Sequence, residues 1–80
     1  MENNLQKVTE IFRNVLNVNT LELKTTDTPH TIDGWDSLTH SRLIADIEDA
    51  FSIEFKLKEL AGIRSIGDII KFIELKQNPS

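Results

Sequence analysis

Asp36, Ser37 and Leu38, three residues in a row, offer the clearest chemistry in this chain. They close the run Ile32-Asp33-Gly34-Trp35-Asp36-Ser37-Leu38, where a long polar loop meets an amphipathic helix. Gly34 permits a tight approach to the helix, Asp36 is a strong N-cap residue, and Ser37 then falls in the first turn with its hydroxyl near solvent. The free backbone N–H groups of a first turn and the positive end of the helix dipole favour a phosphate carried there. The local physics suits a phosphorylated serine better than a nucleophilic one. His40, three residues on, completes an abbreviated Ser-His-Asp set with Ser37 and Asp36. A triad is recognised by its geometry, which neighbours on one helix do not supply, and no oxyanion hole is evident. His40 lies on the apolar stripe and reads as a residue packed at the core's edge. Asp27, Asp33 and Asp36 do not follow the spacing of a calcium loop, and the two histidines lack a paired arrangement, so no metal site is expected.

Around that serine the chain resembles the acyl carrier protein family, whose members carry Asp-Ser-Leu at the start of their second helix. The tripeptide Asp36-Ser37-Leu38 is common, and its surroundings make it specific. The chain length, the loop ending in Asp33-Gly34-Trp35, the run Ile47-Glu48-Asp49-Ala50-Phe51-Ser52-Ile53 and the later Ser65-Ile66-Gly67-Asp68-Ile69-Ile70 match the family in order and spacing. The resemblance covers nearly the whole chain. It implies an all-α fold, a small acyl-carrier-like bundle of three main helices and one short helix, with a long loop between the first two.

The resemblance also implies a chemistry. Ser37 is the expected covalent attachment point of 4′-phosphopantetheine, transferred from coenzyme A by a separate phosphopantetheinyl transferase, with Asp36 and Leu38 beside it. The thiol of that arm would hold an acyl or aminoacyl group as a thioester, supplied by a loading ligase and taken by a downstream acyltransferase or synthase. The chain would be a carrier phosphoprotein and not an enzyme. Enzymes of such pathways dock on the second helix, here on the face of Leu38, Ser41, Arg42, Ala45, Glu48 and Asp49. Fatty-acid carriers are strongly acidic there, whereas Arg42, Lys56 and Lys58 dilute that charge and Ser41 and Ala45 are small. Rim charges set partner choice, so a dedicated secondary-metabolite, surface-polysaccharide or amino-acid-activating pathway fits better than housekeeping fatty-acid synthesis. A peptidyl carrier fits less well, because the usual pair of glycines before the serine is represented by Gly34 alone. The alternative from another class is an unmodified helical adaptor that presents the second helix to a protein partner.

The elements that must position Ser37 follow from periodicity. Leu5, Val8, Phe12, Val15 and Leu16, with Ile11, predict a helix over 4–17, capped by Asn3 or Asn4 and stopped near Asn17 and Asn19. Residues 18–36 show no period and read as a loop held by Val18, Leu21, Leu23, Ile32 and Trp35. A second helix over 37–51 turns His40, Leu43, Ile44, Ile47, Ala50 and Phe51 inward. Ile53 and Phe55 anchor the turn after it, and a short helix over 57–61 is expected to bury Leu57 and Leu60 before stopping at Gly62. The last helix, 65–76, carries Ile66, Ile69, Ile70 and Ile73 at helical spacing, with Ser65 and Asp68 as a capping box. The tail Lys76-Gln77-Asn78-Pro79-Ser80 is expected to fray.

Composition bounds the rest. Eighty residues make one domain, residues 1–80, that buries only about 60 to 65% of its unfolded surface and leaves little room for a deep catalytic cleft. No cysteine means no thiolate nucleophile or ligand. With 13 acidic and 9 basic residues the net charge is −4, which disfavours nucleic acid and anionic lipid as partners. The polar start Met1-Glu2-Asn3-Asn4 is unlike a signal peptide, and no apolar run approaches the roughly 18 residues of a membrane span. A cytoplasmic monomer is expected, since both apolar stripes are used in one small core.

Overall fold

The computed structural model describes residues 4–77. The capping role considered for Asn3, the polar start at 1–3 and the tail at 78–80 lie outside them. Four helices follow in order: α1 (Asn4–Leu16), α2 (Ser37–Phe51), α3 (Leu57–Ala61) and α4 (Ile66–Gln77), and no strand occurs among the described residues. The expected all-α bundle is therefore what the chain forms. One face of each long helix meets in a single cluster built on Val8 and Phe12 of α1, Leu43, Ile44 and Ile47 of α2, and Ile66, Ile69 and Ile73 of α4. Leu23, Ile32 and Trp35 from the loop and Phe55 from the α2–α3 segment complete it.

Several details differ from the periodicity reading, each for a local reason. α1 ends at Leu16, one residue early, because Asn17 takes a left-handed conformation at φ 58°. Short polar Asn tolerates that region, and it ends the helical bonding. α4 begins at Ile66 and runs to Gln77, so Lys76 and Gln77 are helical. Asn4 Nδ2 donates to Gln77 Oε1 at 3.1 Å, tying the start of α1 to the end of α4. The capping box at α4 is also displaced. Asp68 N–H donates to Ser65 Oγ, but the Asp68 carboxylate accepts from Arg64 N–H, at 3.0 Å, and not from Ser65.

Three expected core residues face out. Val18 is exposed because the chain turns there, with Leu21 N–H donating to its carbonyl. Ala50 lies on the solvent side of the last turn of α2, where the half-buried Phe51 covers the core instead. Leu57, at 84% exposure, opens α3 and projects away from the core, while Leu60 one turn on packs inward. A helix of five residues has one inward position per turn, and Leu60 fills it.

The long loop is a succession of hydrogen-bonded turns. Asp27 N–H donates to the Lys24 carbonyl while Lys24 N–H donates to the Asp27 carboxylate, and Ile32 N–H closes back on Thr28. The Thr31 hydroxyl links the two turns by accepting from Thr28 N–H and donating to Asp27 Oδ1. The loop also reaches α4: the Asp27 carbonyl accepts from Ile66 N–H and the Thr25 carbonyl from Gly67 N–H, both at 2.9 Å. Two of the donors left open by the first turn of α4 are thereby satisfied.

Candidate functional site

The start of α2 is fixed by two devices acting on neighbouring residues. Asp36 is the N-cap, in extended backbone, and its Oδ1 accepts from Leu38 N–H and Thr39 N–H at 3.0 Å each. Thr39 Oγ1 returns the bond by accepting from Asp36 N–H at 2.9 Å, which completes a reciprocal capping box. The Thr39 N–H, with the Leu38 N–H and the Thr39 hydroxyl adding to it, holds the Asp36 carboxyl below the usual carboxylate range. Trp35, just before the cap, pairs with His40 at the fourth helical position, where a staple across a helix start forms. Their rings lie side by side with centroids 6.1 Å apart and 22° between planes, and Trp35 Nε1–H donates to His40 Nδ1 at 3.0 Å. Trp35 is 3% exposed and meets Phe12 of α1 edge-on at 5.1 Å. The core of the bundle thus grips the residue two before Ser37.

Gly34 makes the approach possible. Its φ of +90° is one that side chains avoid, and a Cβ there would sit 3.4 Å from Leu16 Cδ2. The sharp turn brings Trp35 down into the core and leaves Asp36 and Ser37 on the surface.

Ser37 is the first residue of α2 and is exposed. Leu38, beside it, is 84% exposed, so a bulky apolar side chain stands in solvent next to the hydroxyl. Ser41, Arg42, Ala45 and Asp49 are exposed further along α2. Glu48, expected among them, is half-buried, and its Oε2 accepts from Phe55 N–H at 2.8 Å. One oxygen of its carboxylate thereby fastens the segment after α2.

One turn beyond Ser37, a groove of about 450 Å³ opens between α2 and α3, lined by His40, Ser41, Ile44, Leu57, Leu60 and Ala61. The exposed Leu57 forms part of its wall, which accounts for an apolar residue kept out of the core. A second hollow, about 490 Å³, lies along α1 and residues 22–23 and contains none of the residues singled out at α2. His40 is half-buried at the groove's end nearest Ser37, and burial pushes its pKa down, favouring the neutral ring. No group of three or more acidic, histidine or cysteine side chains among the described residues is placed to hold a metal ion.

Thr39 and the Trp35–His40 pair escaped the periodicity reading. Their signals were present in the sequence: a polar residue three after Asp36, and two ring-bearing residues flanking the cap at the staple spacing.

An exposed serine at the head of a rigidly capped helix, with an apolar groove beginning one turn away, fits a tethered, largely uncharged arm attached through a phosphate. A family model described as the phosphopantetheine attachment site matches residues 6–73. An acyl carrier protein of Prochlorococcus marinus (strain MIT 9515) is 38% identical over 73 residues, which cover 91% of either chain. The solution NMR structure of a holo acyl carrier protein from Geobacter metallireducens superposes with a TM-score of 0.85 at 34% identity, covering 91% of this chain and 84% of that one.

Proposed function

The chain belongs to the acyl carrier protein family, whose prosthetic group is 4′-phosphopantetheine, and from that premise we propose that Ser37 is the residue that takes the arm. The observation that carries this reading is the exposed Ser37 hydroxyl at the first position of α2, held by the Asp36–Thr39 box and followed by the α2–α3 groove. In the active site of a phosphopantetheinyl transferase, the Ser37 oxygen attacks the β-phosphate of coenzyme A as its proton passes to a base of that enzyme. The new serine phosphodiester forms, and the bond to the departing adenosine 3′,5′-bisphosphate breaks.

This chain's own residues then have separable tasks. The first turn of α2 places its positive end beside the phosphodiester. Asp36 keeps Ser37 at a fixed height by capping, and its exposed carboxylate is available to the transferase. Leu38 gives the transferase an apolar handle next to the hydroxyl. The attached arm supplies a thiol that holds an acyl or aminoacyl group as a thioester. The bundle presents that group to a loading ligase and then to an acyltransferase or synthase, acting as a cytoplasmic monomeric carrier.

Leu38, Ser41, Arg42, Ala45, the half-buried Glu48 and Asp49 form the docking strip of this reading. A single basic residue between small neighbours on that strip favours partners that present an acidic group opposite Arg42, and so a dedicated biosynthetic pathway over the general fatty-acid synthase. If the natural chain is loaded and elongated by a fatty-acid synthase as well as that system's own carrier, the dedicated-pathway reading fails. Arg42→Glu should improve its acceptance there.

Intact mass measurement tests attachment itself. After incubation with coenzyme A, magnesium and a broad-specificity phosphopantetheinyl transferase, the natural chain should gain the mass of one phosphopantetheine and Ser37→Ala none. A folded natural chain that gains nothing would overturn the assignment and leave α2 as the face of an unmodified adaptor.

A further inference from the structure

The groove beside Ser37 is apolar except at its upper end, where His40 and Ser41 lie. His40 is more than a wall there, because its tautomer is fixed. An indole N–H can only donate, so the ring nitrogen that takes it must be unprotonated. Trp35 Nε1–H donates to His40 Nδ1 at 3.0 Å, and the neutral ring therefore carries its proton on Nε2. Among the described residues the indole is the only hydrogen-bonding partner of that ring. With Nδ1 turned to Trp35, the edge bearing Nε2 is the part left for the groove. The hydrogen bond from Trp35, whose indole is anchored in the core, holds the ring against turning that edge away.

We propose that His40 is the polar anchor of the tethered arm: its Nε2–H, aimed by Trp35 into the α2–α3 groove, donates to an uncharged oxygen, a hydroxyl or amide carbonyl, of the pantetheine chain. The inference rests on attachment at Ser37. Residues three apart on a helix have Cβ atoms only about 5–6 Å apart, so the first polar groups beyond the phosphate lie within reach of the imidazole. An apolar groove with one fixed donor suits an arm whose amides alternate with methylene segments. Such a site orients the arm by a single bond and accepts the methylenes along Ile44, Leu57 and Leu60.

The test is NMR spectroscopy of the intact loaded protein, on samples whose mass shows one complete arm. The expected result is a changed His40 Nε2 and Cε1–H resonance on loading, with nuclear Overhauser contacts from the ring to the methyl or methylene protons of the arm. His40→Phe should abolish those contacts and raise the reaction rate of the arm's thiol with a disulfide reagent by up to about fivefold, the equivalent of one hydrogen bond of ~1 kcal/mol. His40→Gln, which keeps both an acceptor for Trp35 and an N–H donor, should restore the slower rate. Complete loading with no change at His40 would overturn this inference alone. So would ring shifts without arm contacts, which place the interaction at the phosphodiester. No mass gain would overturn the attachment reading and this inference with it.

Discussion

The same substitution, glycine to alanine, should act in opposite directions at Gly34 and Gly62. At Gly34 the backbone has φ +90°, and the added Cβ would come 3.4 Å from Leu16 Cδ2. The left-handed region costs an L-residue roughly 1–2 kcal/mol, and lowering the freedom of the unfolded chain returns about 0.4–1 kcal/mol. The net is a loss of about 1 kcal/mol. Gly62 follows α3 with φ −90° and ψ −3°, a conformation alanine adopts freely, and its added Cβ would meet the Glu59 carbonyl at an ordinary 3.5 Å. There only the unfolded-state effect remains, a gain of about 0.4–1 kcal/mol. The two variants should therefore differ by about 1.5–2 kcal/mol. For a domain of this size urea acts with a slope of about 1 kcal/mol per molar, which separates the two unfolding midpoints by about 1.5–2 M. Trp35 is the single tryptophan and is buried, so its fluorescence follows the transition directly. Equal midpoints, or a Gly34→Ala protein more stable than the natural one, would refute the claim that a forced backbone at Gly34 sets the entry to α2.

Stability should fall as pH drops from about 6.5 through the lower folded pKa of His40. Burial favours the neutral ring in the folded state, so the contribution is whole above the unfolded value and lost below the folded one. Trp35→Phe removes the indole donor to Nδ1 and should flatten that slope, read by circular dichroism during denaturation at pH 7.5 and 5. Asp36 acts at lower pH: its contribution, fully present above the ordinary carboxyl value, is lost as pH falls through the lower folded one, and Asp36→Ala should remove that part of the acid transition. Glu48→Ala releases Phe55 N–H and should cost about 1 kcal/mol in urea unfolding, while Asp49→Ala, exposed beside it, should stay within about 0.5 kcal/mol. Gly67→Ala would place a Cβ 3.0 Å from the Thr25 carbonyl oxygen, a backbone atom. Net of the roughly 0.4–1 kcal/mol returned by a stiffer unfolded chain, it should lower stability by about 1–2 kcal/mol, also read in urea.

Much of the fold was legible because the long helices bury regular stripes: Val8 and Phe12, Leu43, Ile44 and Ile47, and Ile66, Ile69 and Ile73 all stand at helical spacing and all meet in the core. Helix ends and short elements were harder. Leu57 and Leu60 look alike in a five-residue segment, and only the position of α3 against α2 decides that Leu60 packs while Leu57 walls the groove. Ala50 is small enough to lie on either side of a helix end. At the candidate site, the N-cap residue type and the exposed serine could be expected from turn chemistry, but the Trp35–His40 bond could not. It depends on Phe12 of a different helix holding the indole in place. The bond made by Glu48 was hidden for a similar reason, since its partner, Phe55 N–H, sits on a segment whose path follows no period.

The two bonds from the loop to α4 bind residues about forty positions apart: Thr25 with Gly67, and Asp27 with Ile66. Neither α4's first turn nor the Lys24–Asp27 turn can therefore open by itself. Their amides should exchange with solvent deuterium as one cooperative group, at a rate set by the opening of the contact between them. Bringing partners so far apart in sequence together costs loop-closure entropy, which the contacts made across the core must offset. A protease cut within residues 24–28 would then loosen the carboxyl-terminal helix as surely as the loop it severs.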